Sequence, residues 1–193
     1  MFIQKFHPFF TQAPLDESSG YDFFKQFLNC DFKFESFDHL KKYECILILG
    51  TGGSSLGGQV LDCIAQGDVF PELIFLDNID PFTFEQIMQF NPHTTGVIAI
   101  SKSGETTETL TQLVTLLPLW EESLIHKHFC VITQDTPSSL LSIAKHHNMP
   151  IITHPQEIGG RYSIFTCVGM IVADLLELSA TKIHKGASMY LKK

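Results

Sequence analysis

Ser101-Lys102-Ser103-Gly104-Glu105-Thr106-Thr107-Glu108-Thr109 gathers five hydroxyls and an ammonium group into one short stretch. Where such a stretch opens a helix, unpaired backbone N–H groups and the helix dipole join the hydroxyls, and the result is a phosphate cradle. A plain helix start would need only one hydroxyl, Ser103 or Thr106, with Glu105 or Glu108 completing a capping box. A carboxylate facing a phosphate would repel it, so Glu105 is expected to point away. A second loop, Gly50-Thr51-Gly52-Gly53-Ser54-Ser55-Leu56-Gly57-Gly58, lets backbone come close to a ligand and ends in helix N–H groups suited to an anion or hydroxyl. As a dinucleotide fingerprint it is incomplete: Gly50 and Gly52 begin the pattern, Asp77 ends the next strand, but Ser55 stands where the third glycine belongs. The structural alternative is a tight turn. A third segment, Gly159-Gly160-Arg161, exposes a guanidinium that can stabilise negative charge developing on a substrate oxygen; its structural alternative is a salt bridge to Glu157 or Asp174.

These loops need elements to hold them. Short apolar runs rich in β-formers predict strands at Cys45–Leu49, Leu73–Leu76, Gly96–Ile100, Phe129–Thr133 and Ile151–Thr153. Helical periodicity falls between them, near Leu56–Ala65, Pro81–Phe90, Thr106–Leu117 and Pro137–His146. Tyr21–Cys30 and Phe37–Tyr43 read as short helices before the first strand, Tyr162–Leu178 as one apolar helix after the last, and Lys182–Lys193 as a basic tail. Alternating strands and helices, with strands apolar throughout, give a parallel sheet covered on both faces. Right-handed crossovers then bring the three loops to its carboxyl edge.

With 193 residues, 44% hydrophobic and 18% charged, the chain can bury a substantial core. Thirteen Lys plus Arg against 21 Asp plus Glu leave a net charge of -8, which argues against a nucleic-acid backbone binder and leaves room for a local anion site. The longest apolar stretch, Ile164–Leu178, contains Asp174 and Glu177 and is too short to span a bilayer. The N-terminus does not read as a secretory signal, and the five scattered cysteines, without a CxxC pair, suit a reducing compartment. His126 with His128, and His146 with His147, lack the helical spacing of a metal pair. The cytoplasm is the expected location, with no membrane or nucleic-acid partner.

Taken together, the loops resemble the glucose-6-phosphate isomerase family, in the first of its two sugar isomerase (SIS) domains. The resemblance runs from about Ile46 to Leu178, through LGTGGSSLGG, FLDNIDP at Phe75–Pro81, ISKSGETTETL and IGGRYSIFTCVGM. The hydroxyl loop occurs widely among SIS domains; the Gly-Gly-Arg-Tyr-Ser segment with DNIDP selects the isomerase. The resemblance implies a three-layer α/β/α fold with five parallel strands in flavodoxin-like order. It divides the chain into a helical N-terminal cap (1–44), a SIS domain (45–180) and a tail or truncated connection to a second SIS domain (181–193).

For the site, the resemblance implies that Gly53 and Ser54 contact the sugar, Ser101, Lys102, Ser103 and Thr106 hold its phosphate, and Gly160 and Arg161 lie beside the reacting carbons. Arg161 would stabilise the enediolate, and Glu108 matches a family active-site glutamate. Gly104-Glu105 departs from the commonest family loop. The implied reaction interconverts glucose 6-phosphate and fructose 6-phosphate, in glycolysis and gluconeogenesis, with no metal or organic cofactor. In the family the transferring base is a glutamate of the second domain, and a histidine and a lysine from later segments assist ring opening, the histidine across a dimer interface. None of those segments lies in this sequence, so the chain alone is expected to be inactive, assembling as a homodimer or with the missing C-terminal domain. An apolar face left by that domain is expected on Ile164–Leu178. The alternatives are a non-catalytic sugar-phosphate-binding module that regulates a partner, and a nucleotide-binding domain.

Overall fold

The computed structural model describes residues 38–65 and 71–191. Five strands, β1 (Cys45–Leu49), β2 (Glu72–Leu76), β3 (Thr95–Ile100), β4 (Phe129–Thr133) and β5 (Ile151–Thr153), pair in parallel in the order β2-β1-β3-β4-β5. The helices are α1 (Leu56–Ile64), α2 (Pro81–Ile87), α3 (Thr107–Leu116), α4 (Glu122–His128), α5 (Ser139–His146), α6 (Cys167–Leu175) and α7 (Ala180–Leu191). All residues of β1, β3 and β4 are buried, as strands covered on both faces must be.

Alternation along these strands splits the core in two. Ile46, Ile48, Ile98, Ile100, Cys130 and Ile132 pack with α1 and α6, while Leu47, Leu49, Val97, Ala99, Phe129 and Val131 face α2, α3, α4 and α5. Three helix starts are fixed by side-chain caps. Asp80 accepts from the Thr83 amide at 3.1 Å with Pro81 following, Ser138 from Leu141 at 3.3 Å, and Thr166 from Val168 at 3.2 Å. Leu49 pairs with Leu76 on one side and Ala99 on the other, so the loops leaving β1 and β3 depart side by side, at the point where strand order reverses.

Every expected strand forms, β2 and β3 each beginning one residue earlier than read from the sequence. The end of the chain differs more. Tyr162–Leu178 is not one helix: a 3-10 turn spans Gly160–Phe165, and α6 begins afresh behind the Thr166 cap. The apolar face expected on Ile164–Leu178 is not exposed, because eight of the nine residues of α6 are buried within the chain. Exposed apolar side chains lie instead on α1, at Leu56, Val60 and Ile64, and around α2, at Ile79, Phe82 and Met88. The basic tail carries α7, and α4 was not read from the sequence at all. Asp38 to Lys42 form turns where a helix was expected; Phe37 and the Tyr21–Cys30 helix lie outside the described residues. Among the described residues no helix is long and apolar enough to cross a membrane, and no group of His, Cys, Asp and Glu could hold a metal ion.

Three histidines make the fold sensitive to acid. His128 Nδ1 donates to the Thr95 carbonyl at 2.9 Å, His154 Nδ1 to that of Pro155 at 2.8 Å, and His184 Nε2 to that of Phe165 at 3.1 Å. Burial lowers the pKa of each, outweighing the carbonyl that favours the charged ring. A lowered folded pKa means that the fold prefers the neutral ring. Its contribution is complete above the unfolded value of about 6.5 and is lost as pH falls through the folded values. Tm should therefore decline between neutral pH and mildly acidic pH, and more gently in His128→Gln. A flat Tm across that range would contradict this.

Candidate functional site

The first loop tightens into a 3-10 turn at Gly52–Ser54, with the Ser54 amide donating to Thr51 at 3.1 Å and Ser55 to Gly52 at 3.2 Å. Its two ends press on different neighbours. A Cβ at Gly50 would lie 3.1 Å from the Ile100 carbonyl oxygen at the end of β3. At Gly53 a Cβ would run into the Gly160 carbonyl and lie 2.7 Å from the Arg161 amide nitrogen. Ser163 fastens this contact, its hydroxyl 2.9 Å from the Gly53 carbonyl and 2.6 Å from that of Gly160. Ser54 is half-buried at the rim, while Ser55 is buried.

The hydroxyl loop is held by β4 and α5. The Ser101 amide donates to Ile132 at 3.0 Å, the Gln134 amide to Lys102 at 3.2 Å, and the Leu140 amide to Gly104 at 3.0 Å. Inside the loop, the Ser101 and Thr106 hydroxyls are 2.8 Å apart, and Ser101 Oγ also accepts from the Gly104 amide at 3.1 Å. Gly104 has φ +69°, and a Cβ there would lie 2.6 Å from Ser138 Cβ, which explains a glycine at this position. Glu105 turns away from the loop, towards the start of α5. Its carboxylate accepts from the Ser139 amide at 2.7 Å and the Ser139 hydroxyl at 2.8 Å, at the start of α5. Thr106 occupies the cap position of α3, but its side chain makes no capping bond. The first-turn amides of α3 are thereby left for an anion.

Lys102 Nζ donates to the Gln156 carbonyl at 2.8 Å, bridging the hydroxyl loop to the segment that leads into Gly159. The three loops thus form one continuous cluster: the first touches the base of the second through Gly50 and the third through Gly53, and Lys102 joins second to third. Arg161 is exposed and makes no ion pair among the described residues; Asp174, its sequence-level alternative, is 2.9 Å from Lys41. Ser103 is exposed, with its Oγ accepting from the Glu105 amide at 3.2 Å, and Gly160 is half-buried, with open space among the described residues only on the side where a Cβ would stand. Glu108 is exposed in the first turn of α3 and makes no hydrogen bond or ion pair among the described residues. Thr109 does not belong to the cradle. It is fully buried, so its hydroxyl is out of a ligand's reach.

Two features escaped sequence reasoning. His154, buried at the carboxyl end of β5 with Lys102 adding to its lowered pKa, sits behind the cluster; its place directly after a strand was the available signal. Ser163 as a clasp between loops had none. In the DNIDP stretch, Asp80 caps α2 and Asp77 accepts from Gln59 Nε2 at 3.0 Å.

The strand order, the covered parallel sheet and the loops at its switch point define a doubly wound α/β domain of flavodoxin-like order. A glucose-6-phosphate isomerase from Chlamydia trachomatis superposes with a TM-score of 0.66 at 21% identity, over 89% of this chain and 33% of that one. The phosphoglucose isomerase family model matches residues 18–188, and the chain belongs to that family. Among curated relatives, a glucose-6-phosphate isomerase of Thermus thermophilus is 31% identical over 66% of this chain and 32% of its own length. The chloroplastic isomerase 1 of Arabidopsis thaliana is 33% identical over 77% of this chain and 25% of its own. The chain spans about a third of the length of the curated relatives it matches.

Proposed function

We propose that this chain is the sugar-phosphate-binding part of a glucose-6-phosphate isomerase, which interconverts glucose 6-phosphate and fructose 6-phosphate in the cytoplasm, in glycolysis and gluconeogenesis. The observation that carries this reading is the single cluster made by the three loops at the switch point. In it, Ser101, Lys102, Ser103, Thr106 and the α3 amides take the phosphate. Gly53 and Ser54 meet the sugar, and Gly160 leaves space beside Arg161.

The reaction moves a proton between C1 and C2 through a cis-enediol, by general acid-base catalysis. Arg161 stabilises the negative charge that appears on the substrate oxygens, an effect of about 2.7–4 kcal/mol in comparable oxyanion sites. Electrostatic stabilisation does not replace a proton acceptor. Glu108 is the carboxylate nearest this role in sequence, yet it shares a helix start with the phosphate, away from the reacting carbons. The transferring base therefore comes from another segment, and these 193 residues alone bind sugar phosphate without turning it over.

Glucose 6-phosphate at roughly a hundred times Kd should stabilise the chain by about 2.7 kcal/mol, raising Tm by roughly 5–10 °C. Ser101→Ala combined with Thr106→Ala should abolish that rise, and circular dichroism will show whether the unliganded variant keeps its fold. NAD should not compete. An unchanged Tm in the wild-type chain would refute the reading.

A further inference from the structure

At the amino edge of the sheet, opposite the loop cluster, a cavity of about 200 Å3 is lined by His39, Lys42, His126, Lys127 and Pro150. These residues come from the turn before β1, the end of α4 before β4, and the residue before β5. Among the described residues no carboxylate lines the cavity, although the chain carries a net charge of -8. Neighbouring Lys41 shows the ordinary fate of a lysine here, lying 3.4 Å from Asp38 and 2.9 Å from Asp174. Lys42 and Lys127 make no ion pair among the described residues.

Tyr43 ties together the two segments that carry the lysines. Lys42 Nζ lies 5.0 Å from the centroid of the Tyr43 ring, and the Tyr43 hydroxyl donates to the Lys127 carbonyl at 2.8 Å. Behind them the Tyr43 ring lies 4.6 Å from that of His128, itself fixed to Thr95. Lys42, Lys127 and His93 all add to the lowering of the His128 pKa, so positive charge converges on this spot. The carboxyl end of α4 accounts for His126 and Lys127, since cations suit that end of a helix dipole. It does not account for Lys42 and His39, which belong to another element.

We propose that this cavity binds a small, multiply charged anion bearing a phosphoryl group, held by Lys42 and Lys127 with His39 and His126 as further donors. The volume is below that of sites for drug-sized ligands, which run from roughly 300 Å3 upward, and suits a compact anion. Such a site is independent of sugar-phosphate binding at the opposite edge.

The test is a titration of the 15N-labelled chain at low salt, in one arm with inorganic phosphate and in another with glycerol 1-phosphate. Saturable shifts are expected at the Lys42, Tyr43 and Lys127 amides, and are read separately from those at Gly104 to Thr109. The arm with the tighter binding identifies free phosphate or an ester as the ligand. Lys42→Ala with Lys127→Ala should weaken this binding at least about tenfold, whereas Lys182→Ala with Lys185→Ala, an equal loss of charge on α7, should leave it nearly unchanged. The proposal is overturned if neither anion shifts these amides. It is equally overturned if the first pair has no effect, or if both pairs weaken binding alike, since diffuse attraction would then explain it.

Discussion

Gly53→Ala is expected to weaken glucose 6-phosphate binding by roughly two orders of magnitude. The added methyl meets main-chain atoms of Gly160 and Arg161, not the movable end of a side chain. Ser163 binds the carbonyls on both sides of that contact, so relief requires the two loops to part and the Ser163 bridge to stretch or break. Misplacing the loops by enough to lose two or three hydrogen bonds to the ligand, at about 1 kcal/mol each, weakens affinity by up to about a hundredfold. Isothermal titration calorimetry measures the effect. Gly186→Ala is the control, since its Cβ meets nothing within 4 Å among the described residues. A Gly53→Ala Kd close to wild type would show that the clasp does not shape the site.

Gly169→Ala should destabilise the fold by about 2 kcal/mol. Its Cβ would collide with the Ile164 carbonyl oxygen and lie 2.7 Å from the carbonyl carbon, inside a helix buried on nearly every side. Alanine gains about 1 kcal/mol of helix propensity over glycine, but overpacking against backbone costs about 1–3 kcal/mol and sometimes more. The clash dominates because Met170, Ile171 and Val172 fix α6 against the sheet. A net loss of about 2 kcal/mol would lower Tm by roughly 4–8 °C. Ile164 belongs to the turn that carries Arg161, so sugar-phosphate affinity should fall as well. Thermal and urea unfolding read the first effect and calorimetry the second; an unchanged Tm would mean that the α6 contact is loose.

The strands were legible because β1, β3 and β4 are buried on both faces and their sequences are apolar without interruption. The boundary at Thr166 was not. Apolar residues run on both sides of it, and periodicity does not register a break between two buried segments, although Thr before Cys167-Val168 is a usable cap signal. Helix α4 is short, with only Leu124 and Ile125 to mark an inner face, and α7 was masked by its lysines. At the site, the hydroxyl loop and the glycine loop were visible from composition and order. Which hydroxyls face a ligand was not: Thr109 turns into the core and Glu105 caps a neighbouring helix, both decided by packing between elements distant in sequence.

The Ser163 bridge to Gly53 joins residues 110 positions apart, and this has a consequence for the order in which the chain matures. Synthesis runs from the N-terminus at about 5–20 residues per second. Through that interval β1 and β3 can pair and the hydroxyl loop can form, but the third loop has not left the ribosome. Until Ser163 emerges, the first loop lacks its clasp and the sheet lacks α6 over one face. A nascent chain in that state has only α1 and not α6 against Ile46, Ile48, Ile98 and Ile100, and leaves part of that apolar face open to chaperones or to other unfinished chains. Sugar phosphate would then act only on the finished product, drawing completed chains out of the aggregation-prone pool.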